Sequence, residues 1–207
     1  MIVDHVTYVV LDGEETAARF RDEHGLSSFA GGYLPHLGAR SWSAPLRPPQ
    51  YVEWLQIDDP SIAARIPTGR RALEWVERGG GLTAWTVLVD DVEAASARVG
   101  IPVFEGATTV VSGAVRRWFT VTRDLDVPVL IAYDDPDGSR RGRWQAAYEG
   151  IGHTNMPGGF TRIEVGNDRA ELEAWLGPHD LPLDYVAGPP GVLAVDVETA
   201  NGTITLR

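Results

Sequence analysis

An internal repeat constrains this fold more than any other feature, because a unit that recurs along one chain buries its apolar face against its own copies. The segment from His5 to Phe20 aligns without gaps on the segment from Ala84 to Val99. Thr7, Val10, Asp12, Glu14, Ala18 and Arg19 recur as Thr86, Val89, Asp91, Glu93, Ala97 and Arg98. A weaker third copy begins at Thr161, where Val165, Asp168, Glu171 and Ala174 match Val9, Asp12, Glu15 and Ala18. Each copy opens on a run rich in β-branched residues, which suits a strand. Asp12, Asp91 and Asp168 then stand where a side-chain oxygen can accept from the first free amides of a helix. Val92, Ala95 and Val99 share one helical face, as do Leu172, Trp175 and Leu176, so each helix has one stripe to lay on a sheet. Gly25 and Gly100 fit the left-handed position just past a helix end.

Strand-like runs separated by glycine and proline follow each helix: Tyr51 to Ile57, Val103 to Phe104, Thr108 to Val111, Arg117 to Thr122 and Val127 to Tyr133. The third copy offers Leu183 to Val186, Val192 to Val197 and Thr203 to Leu206. The order is βαβββ three times over, which predicts an α+β protein. Its first domain is made of modules 1–58 and 82–135, and a third module, 160–207, packs on the first two. A linker helix is expected over Arg70 to Arg78, capped by Thr68. Asp134 to Gly159 reads as loop, and its Arg140-Arg-Gly-Arg143 run as a solvated, mixed-charge segment.

Composition excludes several function classes. A net charge of −11 argues against nucleic acid, whose phosphates the average surface would repel. All 18 basic residues are arginine, so Schiff-base and lysine-base chemistry are absent. With no cysteine, a metal would be held by imidazole and carboxylate alone. Met1 to Val10 shows neither a basic leader nor a small-residue cleavage site, and no apolar run approaches the ~18 residues of a membrane span. A cytoplasmic location without membrane contact is the expectation.

Val3-Asp-His-Val-Thr-Tyr-Val-Val, Tyr51-Val-Glu-Trp-Leu, His36-Leu-Gly-Ala-Arg40, Pro128-Val-Leu-Ile-Ala-Tyr133 and His153-Thr-Asn155 together resemble the glyoxalase-like domains of the vicinal-oxygen-chelate superfamily, over roughly the whole chain. That group includes glyoxalases, bleomycin-resistance proteins and dioxygenases. The resemblance implies a cup-shaped mixed sheet in which His5 and Glu53 bind a divalent metal (Zn, Fe, Mn or Ni). Ala84 and Ala132, at the positions of the second ligand pair, cannot bind one, so a metal-free protein is the alternative unless His36 or His153 completes the shell.

Each candidate residue has its own chemistry. By strand alternation Glu53 faces the same side as Tyr51 and Leu55, and burial there would raise its pKa and make it a general base, with His36 as a second catalytic candidate. Arg40 could clamp a carboxylate or phosphate, or simply pair with an acid nearby. Trp42, Trp118 and Asn155 are candidates to line a substrate pocket, whereas Trp54 should point away from Glu53 and pack under a helix. His24 and His179 read as surface residues. Three functions follow: a metal-dependent lyase, isomerase or dioxygenase acting on a small oxygenated substrate; a metal-free protein that binds or sequesters a small molecule; and a domain whose extra module mediates self-association as a homodimer.

Overall fold

In the computed structural model the described residues are 1–110, 112–135 and 138–207. Val111, at the end of one strand read from the sequence, and Pro136 and Asp137, in the acidic run before Arg140, lie outside them. The first module contributes β1 (Ile2–Val10), α1 (Gly13–His24), β2 (Phe29–Leu34), β3 (Ala39–Pro45) and β4 (Tyr51–Ile57). The linker holds α2 (Pro60–Ala63) and α3 (Pro67–Glu77). The second module contributes β5 (Gly81–Leu88), α4 (Val92–Val99), β6 (Phe104–Thr109), β7 (Val115–Val121) and β8 (Val129–Tyr133). After α5 (Ser139–Gly150) come β9 (Pro157–Val165), α6 (Arg169–Leu176), β10 (Leu183–Tyr185), β11 (Val192–Thr199) and β12 (Gly202–Leu206).

The repeated aspartates start all three helices. Asp12 accepts from the Glu15 amide at 2.9 Å, Asp91 from Ala94 at 2.9 Å and Asp168 from Glu171 at 3.0 Å. Gly25 and Gly100 close α1 and α4 at φ 72° and 71°, a left-handed turn that a side chain would strain. Asp91→Ala leaves an amide of α4 without its cap, so a loss of about 1 kcal/mol is expected in a denaturant titration. The linker helix departs from expectation: it starts at Pro67, whose fixed φ suits a first turn, and Thr68 lies inside it without capping it.

Strands of the first two modules form one closed barrel in the order β1-β4-β3-β2-β6-β7-β8-β5. Within each module the first strand runs parallel to the last, His5 opposite Tyr51 and Thr86 opposite Val129. The modules join by β1 against β5 on one side and by the Tyr33–Thr109 bridge on the other. Alternation then sorts side chains. On β4, Val52 and Trp54 turn outward into a core with no exposure, and Phe20 of α1 meets the Trp54 ring edge-on at 4.9 Å. Tyr51, Glu53 and Leu55 turn inward onto a cavity. The barrel therefore buries its hydrocarbon between sheet and helices, and keeps its interior open.

The third module builds a separate four-stranded sheet, β10-β9-β11-β12, with β11 lying against β5 and α6 against α4. Polar ties fix it to the barrel. Gln50 donates to the Val3 carbonyl at 2.9 Å and accepts from the Phe160 amide at 3.2 Å, and the Trp175 indole donates to the Pro128 carbonyl at 2.9 Å. No helix among the described residues is long and apolar enough to cross a membrane.

Candidate active site

The barrel encloses a cavity of about 950 Å³, within the range of small-molecule sites. One end is polar and the other apolar. His5, Tyr51, Glu53, Tyr133, Arg140 and Trp144 gather at the first, while Leu34, Leu37, Leu55 and Trp118 line the second.

His5 is placed by the sequence alternation of β1, which sends His5, Thr7 and Val9 inward. Its neighbour Asp4 should point outward by the same rule. A register shift between Val3 and His5 in the pairing with β5 marks a bulge there, and a bulge re-aims the side chain it carries. Asp4 is fully buried, and its Oδ2 lies 2.8 Å from His5 Nδ1. Tyr133 donates to the same oxygen at 2.8 Å, and Arg140 donates to Oδ1 at 2.7 Å. Burial alone would raise the Asp4 carboxyl, but the hydrogen bond and charge of His5 and the charge of Arg140 outweigh it and hold the group below its usual value. An ionised Asp4 can only accept, so the neutral His5 ring carries its proton on Nδ1 and presents the Nε2 lone pair to the cavity.

His5 Nε2 stands 3.8 Å from Glu53 Oε2. That is beyond hydrogen-bond distance, so the two groups do not satisfy each other. Burial, reinforced by the Asp4 charge, raises the Glu53 pKa against the pull of His5 and Thr7, which favours a carboxyl that keeps its proton longer than usual as pH rises. The imidazole is fixed in plane by stacking: His5 lies on Tyr51 at 4.5 Å, and Tyr51 on Trp144 at 4.3 Å. The Tyr51 and Tyr133 hydroxyls lie 3.3 Å apart, and burial pushes both phenols well above their ordinary range, so they remain protonated at neutral pH.

Arg140 and Trp144 come from α5, in the stretch that the sequence suggested was solvated loop. The structure corrects that reading: the segment is a helix, and Arg140 is buried with its guanidinium 3.8 Å from the Tyr133 ring centroid. Asp135 starts the helix by accepting from the Arg140 amide at 2.9 and 3.0 Å.

The remaining sequence candidates divide. His36 and Trp118 line the apolar end, their rings 5.9 Å apart, and burial lowers the His36 pKa. Arg40 and Trp42 lie outside the cavity, because β3 turns Ser41 and Ser43 inward instead. Arg40 pairs with Asp58 at 2.6 and 3.0 Å. Trp42 packs under α1 at Gly13, where a Cβ would come within 2.2 Å of its ring. Asn155 and His153 are also outside: Asn155 bonds the His24 carbonyl and the Asn201 amide, and His153 Nδ1 accepts from the Ser27 amide at 3.0 Å. Asp4, Tyr51, Tyr133 and Arg140 were not among the site residues expected from the sequence. The inward parity of Tyr51 with Glu53 was the one local signal for any of them.

Four ligand candidates were His5, Glu53, His36 and His153, and only the first two converge. The second pair is missing for a clear reason. Ala84 faces the cavity with a methyl group, and Ala132 turns outward against the core while Ile131 and Tyr133 face in. Asp4 already satisfies three partners. No group of three histidine or acidic side chains among the described residues is arranged to hold a metal ion, so the donor set does not fit a divalent centre.

The family model described as a glyoxalase-like domain matches residues 3–179. No curated protein matches the chain. Among solved structures, a hypothetical protein from Staphylococcus aureus is similar over 99% of this chain and 84% of its own, at 15% identity and a TM-score of 0.65, which shows a shared fold. A Streptomyces coelicolor methylmalonyl-CoA epimerase variant bound to 2-nitronate-propionyl-CoA is 17% identical over 62% of this chain and 92% of its own, with a TM-score of 0.47. The methylmalonyl-CoA epimerase from Mycobacterium tuberculosis is 17% identical over 63% and 85%, also with a TM-score of 0.47.

Proposed function

Because the chain belongs to the glyoxalase-like domain family, we propose that its barrel is an isomerase- or lyase-type site that moves a proton on a small oxygenated organic substrate. His5 is the base and Glu53 the acid, and no step passes through a metal. The observation that carries this reading is His5 Nε2, without a hydrogen bond among the described residues, standing 3.8 Å from a half-buried Glu53 inside a cavity of ligand size. His5 takes a proton from carbon next to a carbonyl, and Asp4 stabilises the imidazolium that forms. Glu53 is placed to donate to the oxygen on which negative charge collects, while the Tyr51 hydroxyl is engaged with Tyr133, whose own proton goes to Asp4.

The test is solvent-deuterium incorporation, followed by NMR, into a panel of small 2-oxo acids and hydroxy ketones. Exchange at the carbon next to the carbonyl is expected for at least one compound that binds. Glu53→Gln keeps the shape but cannot give up a proton, so its exchange rate should fall by about 10²-fold or more. Because the raised Glu53 pKa keeps the acid form to higher pH, wild-type exchange should decline as pH rises through that value, and the variant should lose this limb. A compound bound in the barrel without any exchange supports the second reading, a sequestering protein, which the apolar end at Leu34, Leu55 and Trp118 also favours.

A further inference from the structure

Three arginines of one wall, Arg116 on β7 and Arg140 and Arg143 on α5, line the same cavity in a chain of net charge −11. Two of them are neutralised. Arg140 is paired with Asp4 at 2.7 Å and Arg143 with Asp135 at 3.5 Å. Arg116 has no ion pair or hydrogen bond among the described residues, and the charges that act on it are those of the two neighbouring arginines. Arg116 is exposed, so water screens those charges, and its unpaired guanidinium can take up an anion that enters the cavity.

From this we infer that Arg116 is the anchor for a carboxylate group of the ligand, whose apolar remainder extends toward Leu55 and Trp118. A carboxylate matches the planar fork of one guanidinium bidentately. The single uncompensated charge suits a monoanion better than a phosphomonoester, which carries nearly two charges at neutral pH. Asp134 and Asp135 also border the cavity, but Asp135 is engaged by Arg143 and by the start of α5, and Asp134 is exposed with Tyr133 turned inward in its place. This inference rests on the barrel being the substrate site, and it specifies the class of substrate.

Calorimetric titration of the full chain with 2-naphthoate, 2-naphthamide and 2-naphthyl phosphate tests it. The carboxylate should bind about tenfold or more tightly than the amide, as expected of a charge-assisted pair. Arg116→Gln should remove that preference, while Arg19→Gln, outside the cavity, keeps it. Equal affinity for acid and amide, a preference that survives Arg116→Gln, tighter binding of the phosphate, or no binding of the carboxylate would each overturn the assignment. His5→Gln separates the two ideas: if it stops deuterium exchange but retains the carboxylate preference, both stand. If wild type shows the preference but no exchange, only the proton-transfer reading fails.

Discussion

Asp4→Ala should lower the free energy of unfolding by about 3–5 kcal/mol at neutral pH, because it strands a buried guanidinium. Arg140 is 8% exposed, and its partner carboxylate is wholly buried and shared with His5 and Tyr133. Removing the acid leaves three donors unanswered at once, which costs far more than the pair itself contributes over an apolar substitute. The sign with pH follows from the depressed Asp4 pKa. Its contribution is complete above the unfolded value of 3.8 and is lost as pH falls through the lower folded value. The gap between wild type and variant in urea melts should thus be full at pH 7 and narrow in strong acid. A loss under about 1 kcal/mol at pH 7, well short of the buried-pair range, would show that the Asp4–Arg140 contact is not made in the folded protein.

The second large effect is on chemistry. His5→Gln removes the base while keeping a polar side chain of similar reach, and exchange of deuterium into a turned-over carbonyl compound should fall by about 10²- to 10⁴-fold. Ligand affinity should change little, since binding rests on the cavity walls and on Arg116. Stability should fall by less than in Asp4→Ala, because Asp4 keeps its bonds to Tyr133 and Arg140. Comparing exchange rate with calorimetric affinity on the same samples separates a lost base from a lost pocket. An unchanged exchange rate would remove His5 from the reaction.

Much of the architecture was legible because its signals are local. The three aspartate caps, the glycine stops after α1 and α4, and the alternation on β4 depend on residues a few positions apart, and each appears where the pattern places it. Parity placed Glu53 on the face of Tyr51 and Leu55, whereas its meeting with His5 was implied by the family resemblance. What failed depended on distant partners. Helix α5 has Gly142 in its interior, Gly138 at its start and few apolar residues, so nothing within it announces a buried face. Its placement comes from Asp4, 136 residues away. Asp4 itself escaped because a bulge breaks the alternation by which it would be judged. Trp42 was misplaced for a simpler reason: the parity of β3 is set by its pairing with β4, and the residues between Gly31 and Pro45 offer no clean strand from which to count; Arg40 takes the other course open to it, pairing with an acid nearby.

Proton transfer in the barrel depends on which nitrogen of His5 holds the proton, and long-range ¹H–¹⁵N correlation on histidine-labelled protein reads that directly. His5→Gln assigns the resonance among the five histidines. In the neutral ring, Nδ1 should appear as the protonated, pyrrole-type nitrogen and Nε2 as the bare, pyridine-type one. A ring protonated on Nε2 instead would mean that it donates toward Glu53 and has no lone pair facing the cavity, and the proposed base would not exist.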